Sequence, residues 1–155
     1  MPRRLPLEAF ALSVEFNHTV IACRDREESA RFLAGILGLE AGEPAEPFLP
    51  VETANGVTLD FATVGHDVPT QHYAFLVSEE EFDQILARLV AARVPIQADP
   101  HGKHPGRINR NDGGRGVYFP DPSGHGMEVL TRPYGSDPTS ELNGVTEEVP
   151  GATVK

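Results

Sequence analysis

A chain of 155 residues, 39% hydrophobic and 23% charged, has room for one compact domain with a single core, or for two small halves sharing it. Thirteen Lys and Arg against twenty-three Asp and Glu leave a net charge of -10, which repels a phosphate backbone or anionic lipid. No stretch approaches the roughly 20 apolar residues of a membrane helix, so neither nucleic acid nor membrane is an expected partner.

Residues 1–14 begin basic and turn apolar, but Glu8 interrupts the run and no clean cleavage site follows, so a secretory leader is not expected. The segment FNHTVIAC (16–23) has the length and composition of a strand. Cys23, at its end, is the one cysteine; it excludes an intrachain disulfide, reads as a small buried filler and fits a reducing, cytoplasmic compartment. A helix over 25–37 follows, with Ala30, Leu33, Ala34 and Leu37 on one apolar stripe and Gly38 as its stop. Strands FLPVE (48–52) and GVTLDFATV (56–64) close the first half, and the turn-rich stretch 65–71 separates it from the second.

The same order then returns. HYAFLV (72–77) reads as a strand, and Ser78 with Glu81 forms a capping box ahead of a helix over 79–92 whose stripe is Phe82, Ile85, Leu86, Leu89 and Val90. Pro95 and Ile96 begin an exit strand. The polar stretch 97–114 includes the basic run HGKHPGRINR (101–110), which lacks interleaved aromatics and reads as a substrate-facing loop. GRGVYF (114–119), a turn at 121–126 and the strand MEVLT (127–131) complete the half, while 135–155 reads as a terminal arm. Strand, helix and further strands, twice, imply an α+β chain in which each sheet carries its helix on one face and leaves the other free to curve around a site.

Alternation along the strands separates the two faces. Leu59, Phe61, Tyr73, Phe75, Met127 and Val129 form the helix-packed set, which leaves Asp60, His72 and Glu128 on the other. His18 precedes His72 by 54 residues and Glu128 follows it by 56. Two imidazoles and a carboxylate suit a borderline divalent ion: nitrogen gives affinity, the carboxylate offsets charge, and positions stay open for substrate. Asp60 is either a fourth ligand or a group that orients one of the three. Equally, a strand histidine is often a satisfied, half-buried residue, and spacing alone does not bring such positions together.

The stretches FNHTVIACRDREESARFLAGILGLE (16–40), QHYAFLVSEEEFDQILARL (71–89) and GRGVYFPDPSGHGMEVLTRPY (114–134) resemble the vicinal-oxygen-chelate superfamily. That superfamily holds glyoxalase I, extradiol dioxygenases, fosfomycin- and bleomycin-resistance proteins and methylmalonyl-CoA epimerase. The resemblance covers about 15–133 and implies two βαβββ modules, 15–64 and 71–133, forming a curved mixed sheet around a metal-binding cleft, with 1–14 and 135–155 as extensions. It implies one divalent ion (Fe, Mn, Zn or Ni) on His18, His72 and Glu128. The position where glyoxalase-type members have a further Glu holds Asp60, one methylene shorter, which implies indirect contact. A homodimer is implied too, since relatives assemble their modules within one chain or across two.

Tyr118, Asp121, Pro122, Gly124 and Glu128 also match the extradiol signature, but Arg110 stands where that signature has a histidine. A guanidinium clamps an anion and does not serve as a base, so His101 or His104 would have to replace it, or the reaction differs. The implied function is a metal-dependent, extradiol-dioxygenase-like enzyme acting on a small anionic or phenolic substrate chelated through adjacent oxygens, with Tyr118, Arg110 and Glu128 catalytic. The alternatives are a glyoxalase-like lyase or isomerase, and a bleomycin-resistance-like binding protein. Arg110 is expected inside the cleft and Lys103 outside it; Arg115 reads as a substrate contact or a solvated side chain, and His125 as turn polarity.

Overall fold

The computed structural model describes residues 13–155, so most of the basic-then-apolar N-terminal stretch lies outside the described residues. Strand β1 (His18–Cys23) leads into helix α1 (Arg26–Leu37), followed by β2 (Phe48–Glu52) and β3 (Thr58–Thr63). Then come β4 (His72–Leu76), α2 (Glu79–Ala91), β5 (Arg107–Asn109), β6 (Gly116–Pro120), β7 (Gly126–Leu130) and β8 (Thr146–Glu148). Among the described residues no helix is long and apolar enough to cross a membrane.

Both helices are set by their ends. Asp25 caps α1 by accepting from the N–H groups of Glu27 (2.9 Å) and Glu28 (3.3 Å), satisfying donors that the first turn leaves open. Gly38 ends it in the left-handed region at φ 74°, a conformation that costs glycine nothing. The α2 capping box is present, with Ser78 accepting from Glu81 N–H and the Glu81 carboxylate from Ser78 N–H. The Arg88 guanidinium of α2 donates to the Ile36 carbonyl at 3.1 Å, placing a cation on the carbonyl-rich end of α1 and linking the halves.

The strands form two mixed sheets, ordered β1-β3-β2 and β4-β7-β6-β5-β8. In each, the first strand lies parallel to the last strand of its hairpin, β1 on β3 and β4 on β7, so the duplication is real in topology. The modules differ beyond that shared set. Among the described residues two isolated bridges, Ala41 to Val51 and Ala45 to Phe48, adjoin β2, whereas β6 has Gln97 bridged to Tyr118 and then β5 and β8. The exit strand expected at Pro95 and Ile96 is thus reduced to isolated bridges, and β5 arises inside the stretch read as a loop. The terminal arm is built into the sheet: β8 pairs with β5, Thr153 bridges Pro95, and Val149 and Ala152 pack on the core.

The core is shared, with Ile21, Leu33 and Phe61 of the first half joined to Phe82, Phe119 and Met127 of the second. The expected inner faces hold: Leu59, Phe61, Met127 and Val129 are buried, with Tyr73 and Phe75 packed at the margin. Ile36 rather than Leu37 is the last fully buried position of α1. What this arrangement leaves open is the opposite face of both sheets, where Val20 and Leu76 are 49% and 62% exposed.

Candidate metal centre

The order β4-β7-β6 lays three side chains across one open face. His72 is registered with Gly126, and Glu128 with Tyr118. The imidazole lies beside Gly126 and reaches along β7. His72 Nδ1 is 3.0 Å from the Gly126 carbonyl, which only accepts, so that nitrogen carries the proton. Nε2 stands 3.0 Å from Glu128 Oε1: the imidazolium donates to that oxygen, while the neutral ring presents a lone pair, the form in which a cation fits between the two. Two donors of one ion, each at about 2.1 Å and at right angles, lie about 3 Å apart, so the pair fits adjacent corners of a divalent coordination sphere.

Glu128 is 1% exposed, an expensive burial for a carboxylate unless both oxygens are engaged. Oε2 accepts from the hydroxyl of Tyr134, which in turn lies 2.6 Å from the Tyr118 hydroxyl. The rings of His72 and Tyr118 stack at 5.8 Å with an interplanar angle of 20°. Burial, reinforced by the Glu128 contact, pushes the Tyr134 phenol well above its ordinary range, and burial also raises Tyr118. Both hydroxyls therefore stay protonated at neutral pH. Tyr134 was missed from the sequence because it lies in the turn beyond β7; the signal available was an aromatic six residues beyond the carboxylate, just after a proline.

His18 sits apart from this cluster, exposed at the start of β1 in the other sheet. Its Nδ1 is 2.7 Å from Asn17 Oδ1 and donates to it. Asp60 is level with Val20 in the parallel β1–β3 pair and so shares the open face of His18. Within one chain the four expected positions thus divide into two pairs, His72 with Glu128 and His18 with Asp60. Among the described residues, no group of three or more His, Cys, Asp or Glu side chains is close enough to hold one ion. Convergence of the triad inside a single chain is not what the fold produces. Two cavities meet His72: one of about 430 Å³ lined also by Gln97, Tyr118, Pro120 and Lys155, the other of about 630 Å³ at the β1–β4 seam, lined by Thr19, Leu59 and Phe75.

Several expectations from the polar loop are corrected. Arg110 lines neither cavity; its guanidinium lies 3.6 Å from Glu147, because β8 brings that carboxylate alongside β5. Arg115 is not a substrate contact: it pairs with Glu79 and Asp83, each at 2.7 Å, and covers the Phe82 ring at 4.5 Å. Lys103 stays outside, as expected, and His101 and His104 are exposed beside it rather than in the cleft. The backbone N–H groups of all three are gathered on Asp99. His125 is more than turn polarity. It is buried, accepts from Gln71 N–H at 2.9 Å through Nδ1, and donates from Nε2 to the Ala22 carbonyl at 2.7 Å. Cys23 is a filler: fully buried, its thiol is pushed up by that burial.

Residues 15–129 match the model of the Glyoxalase/Bleomycin resistance protein/Dioxygenase superfamily. The chain is 30% identical over 125 residues to a metallothiol transferase FosB from Lysinibacillus sphaericus, covering 74% of this chain and 80% of that one. It is 32% identical over 120 residues to a glutathione transferase FosA from Serratia marcescens, covering 73% and 77%. Among solved structures, Oxidase ChaP-H2 superposes with a TM-score of 0.80 at 54% identity, covering 81% of this chain and 99% of that one. Doubled topology, a paired imidazole and carboxylate on an open sheet, and these matches agree: the chain belongs to the glyoxalase, bleomycin-resistance and dioxygenase superfamily, whose members typically bind a divalent metal and a small-molecule substrate.

Proposed function

We propose that the protein is a metal-dependent oxidoreductase acting on a small substrate held through two adjacent oxygens. Its ion would be bound by His72 and Glu128 of one chain and His18 of the partner subunit in a homodimer. The observation that carries this reading is the 3.0 Å approach of His72 Nε2 to the buried Glu128 Oε1, a nitrogen and a carboxylate oxygen at the spacing of two donors of one ion. A catalytic site of this kind takes about three protein ligands, and one chain supplies two together. Exposed Val20 and Leu76 flank the separated halves, so a second copy laid over them buries apolar surface and brings its histidine to the pair.

When bound, a divalent ion supplies Lewis-acid charge and open positions for oxygens. The chain's own groups do the rest. Gly126 fixes the His72 tautomer, so no ring reorganisation is needed on binding. Glu128 offsets one charge of the ion. Tyr118, stacked on His72 and lining the cavity of about 430 Å³, places a neutral phenol beside the substrate oxygens. Lys155, on the same wall, provides the cation for an anionic or phenolic substrate that Arg110 does not. The likeness to an oxidase favours oxidative chemistry.

The test is metal analysis of untagged protein, then anaerobic Fe(II) loading and oxygen-uptake measurements with catechols, beside sedimentation analysis of the oligomeric state. Oxygen consumption that His18→Ala, His72→Ala and Glu128→Gln each abolish supports the reading. Metal binding without oxygen uptake, but with turnover of a hemithioacetal or an epoxide–thiol pair, replaces it by a glyoxalase-like or transferase reading.

A further inference from the structure

Tyr134 stands five residues beyond the stretch that the superfamily model matches, yet its hydroxyl is hydrogen-bonded to the buried carboxylate of the centre. The residue as a whole is 60% exposed while its hydroxyl end is enclosed against Glu128 and Tyr118, so packing of the ring does not account for its placement. The turn that carries it is held instead by the backbone: the Pro133 carbonyl accepts from Ser136 Oγ at 2.6 Å and from Ser136 N–H at 3.2 Å. We propose that Tyr134 is a positioning residue that holds Glu128 by its far oxygen, so that the carboxylate offers Oε1 alone, beside His72, to a metal ion. This inference rests on the metal reading above and adds the denticity of its carboxylate.

The direction of the hydrogen bonds is determined. An ionised carboxylate only accepts, so the single Tyr134 proton points at Oε2. At its contact with Tyr118, 2.6 Å away, Tyr134 must then accept, and the chain of donors runs from Tyr118 to Tyr134 to Glu128. Glu128 is 1% exposed, so bulk water does not readily take the place of that hydroxyl. Without it, Oε2 is a buried carboxylate oxygen lacking its donor, and the lowest-cost remedy is rotation that turns both oxygens toward the cation. The outcome would be a bidentate carboxylate and one coordination position fewer for substrate.

Tyr134→Phe removes the hydroxyl and keeps the ring. The measurement is Co(II) titration of wild type, Tyr134→Phe and Glu128→Gln, following affinity and the visible d–d absorption, with thermal unfolding of the metal-free proteins alongside. The expected result is a 10–100-fold weaker Co(II) affinity in Tyr134→Phe, with an altered d–d band and intensity, and a lowered metal-free unfolding temperature because Oε2 loses its donor. Wild-type affinity and an unchanged spectrum in Tyr134→Phe overturn this inference while leaving the metal reading in place. Failure of wild type to bind Co(II), or binding that Glu128→Gln does not weaken, overturns both.

Discussion

His125 donates through Nε2 to the Ala22 carbonyl at 2.7 Å, tying the turn between β6 and β7 to the first strand across 103 residues. The opposite ring nitrogen accepts from Gln71, so one neutral imidazole satisfies two backbone groups at the junction of the halves. His125→Ala leaves both without their partner and opens a void in a fully packed place. The expected cost is about 2–5 kcal/mol, read as a lower urea midpoint in metal-free protein.

Glu128→Gln should separate affinity from folding. The amide keeps the shape, still accepts from Tyr134 and donates to the His72 lone pair, so metal-free stability should match wild type within about 1 kcal/mol. Metal affinity should fall at least 100-fold, because the charge that offsets the ion is gone. Calorimetric titration with Zn(II) or Mn(II) beside thermal melts measures both.

Arg110→Met is expected to change little. The side chains of Arg110 and Glu147 are 32% and 52% exposed at a separation of 3.6 Å, an arrangement worth about 0–1 kcal/mol. Metal content and KM for an anionic substrate should stay at wild-type values. A large rise in KM would return Arg110 to the role of anion clamp.

Asp99 supplies an acid-sensitive contribution. Burial pushes its carboxyl up, but N–H donors from Lys103, His104 and His101, helped by the His104 ring, outweigh that and hold it below the usual carboxylate range. Since the folded value lies below the unfolded one, the contribution is complete above about pH 4 and lost as pH falls through the folded value. Asp99→Ala should flatten the acid limb of a stability-against-pH curve and leave its neutral limb parallel to wild type.

The parts of the fold legible in the sequence were those with a strong period. The α1 and α2 stripes, the capping box, and the alternation that set Leu59 and Phe61 against Asp60, or Met127 and Val129 against Glu128, all follow from local patterning. β5 and β8 were not legible. Each has three residues, and their pairing joins segments about forty residues apart, which no local pattern encodes. Arg110 was misplaced for the same reason: its partner, Glu147, arrives with β8. The pairing of His72 with Glu128 was inferable from equal strand faces, whereas the remoteness of His18 depends on how two edge strands are set side by side.

The turn 121–126 has a mechanical consequence. Arg24 reaches it through Ser123 and Pro122, and His125 fastens it to Ala22, so the strand bearing His18 and the hairpin bearing Glu128 are braced against each other. A subunit that lends its first histidine to one centre and its second, with the carboxylate, to another is then a stiff bar between two ions. The first ion bears the entropic cost of docking two such bars, and the second inherits the aligned pair. Metal uptake by such an assembly should follow a Hill coefficient above one, and loosening the brace should bring it back toward one.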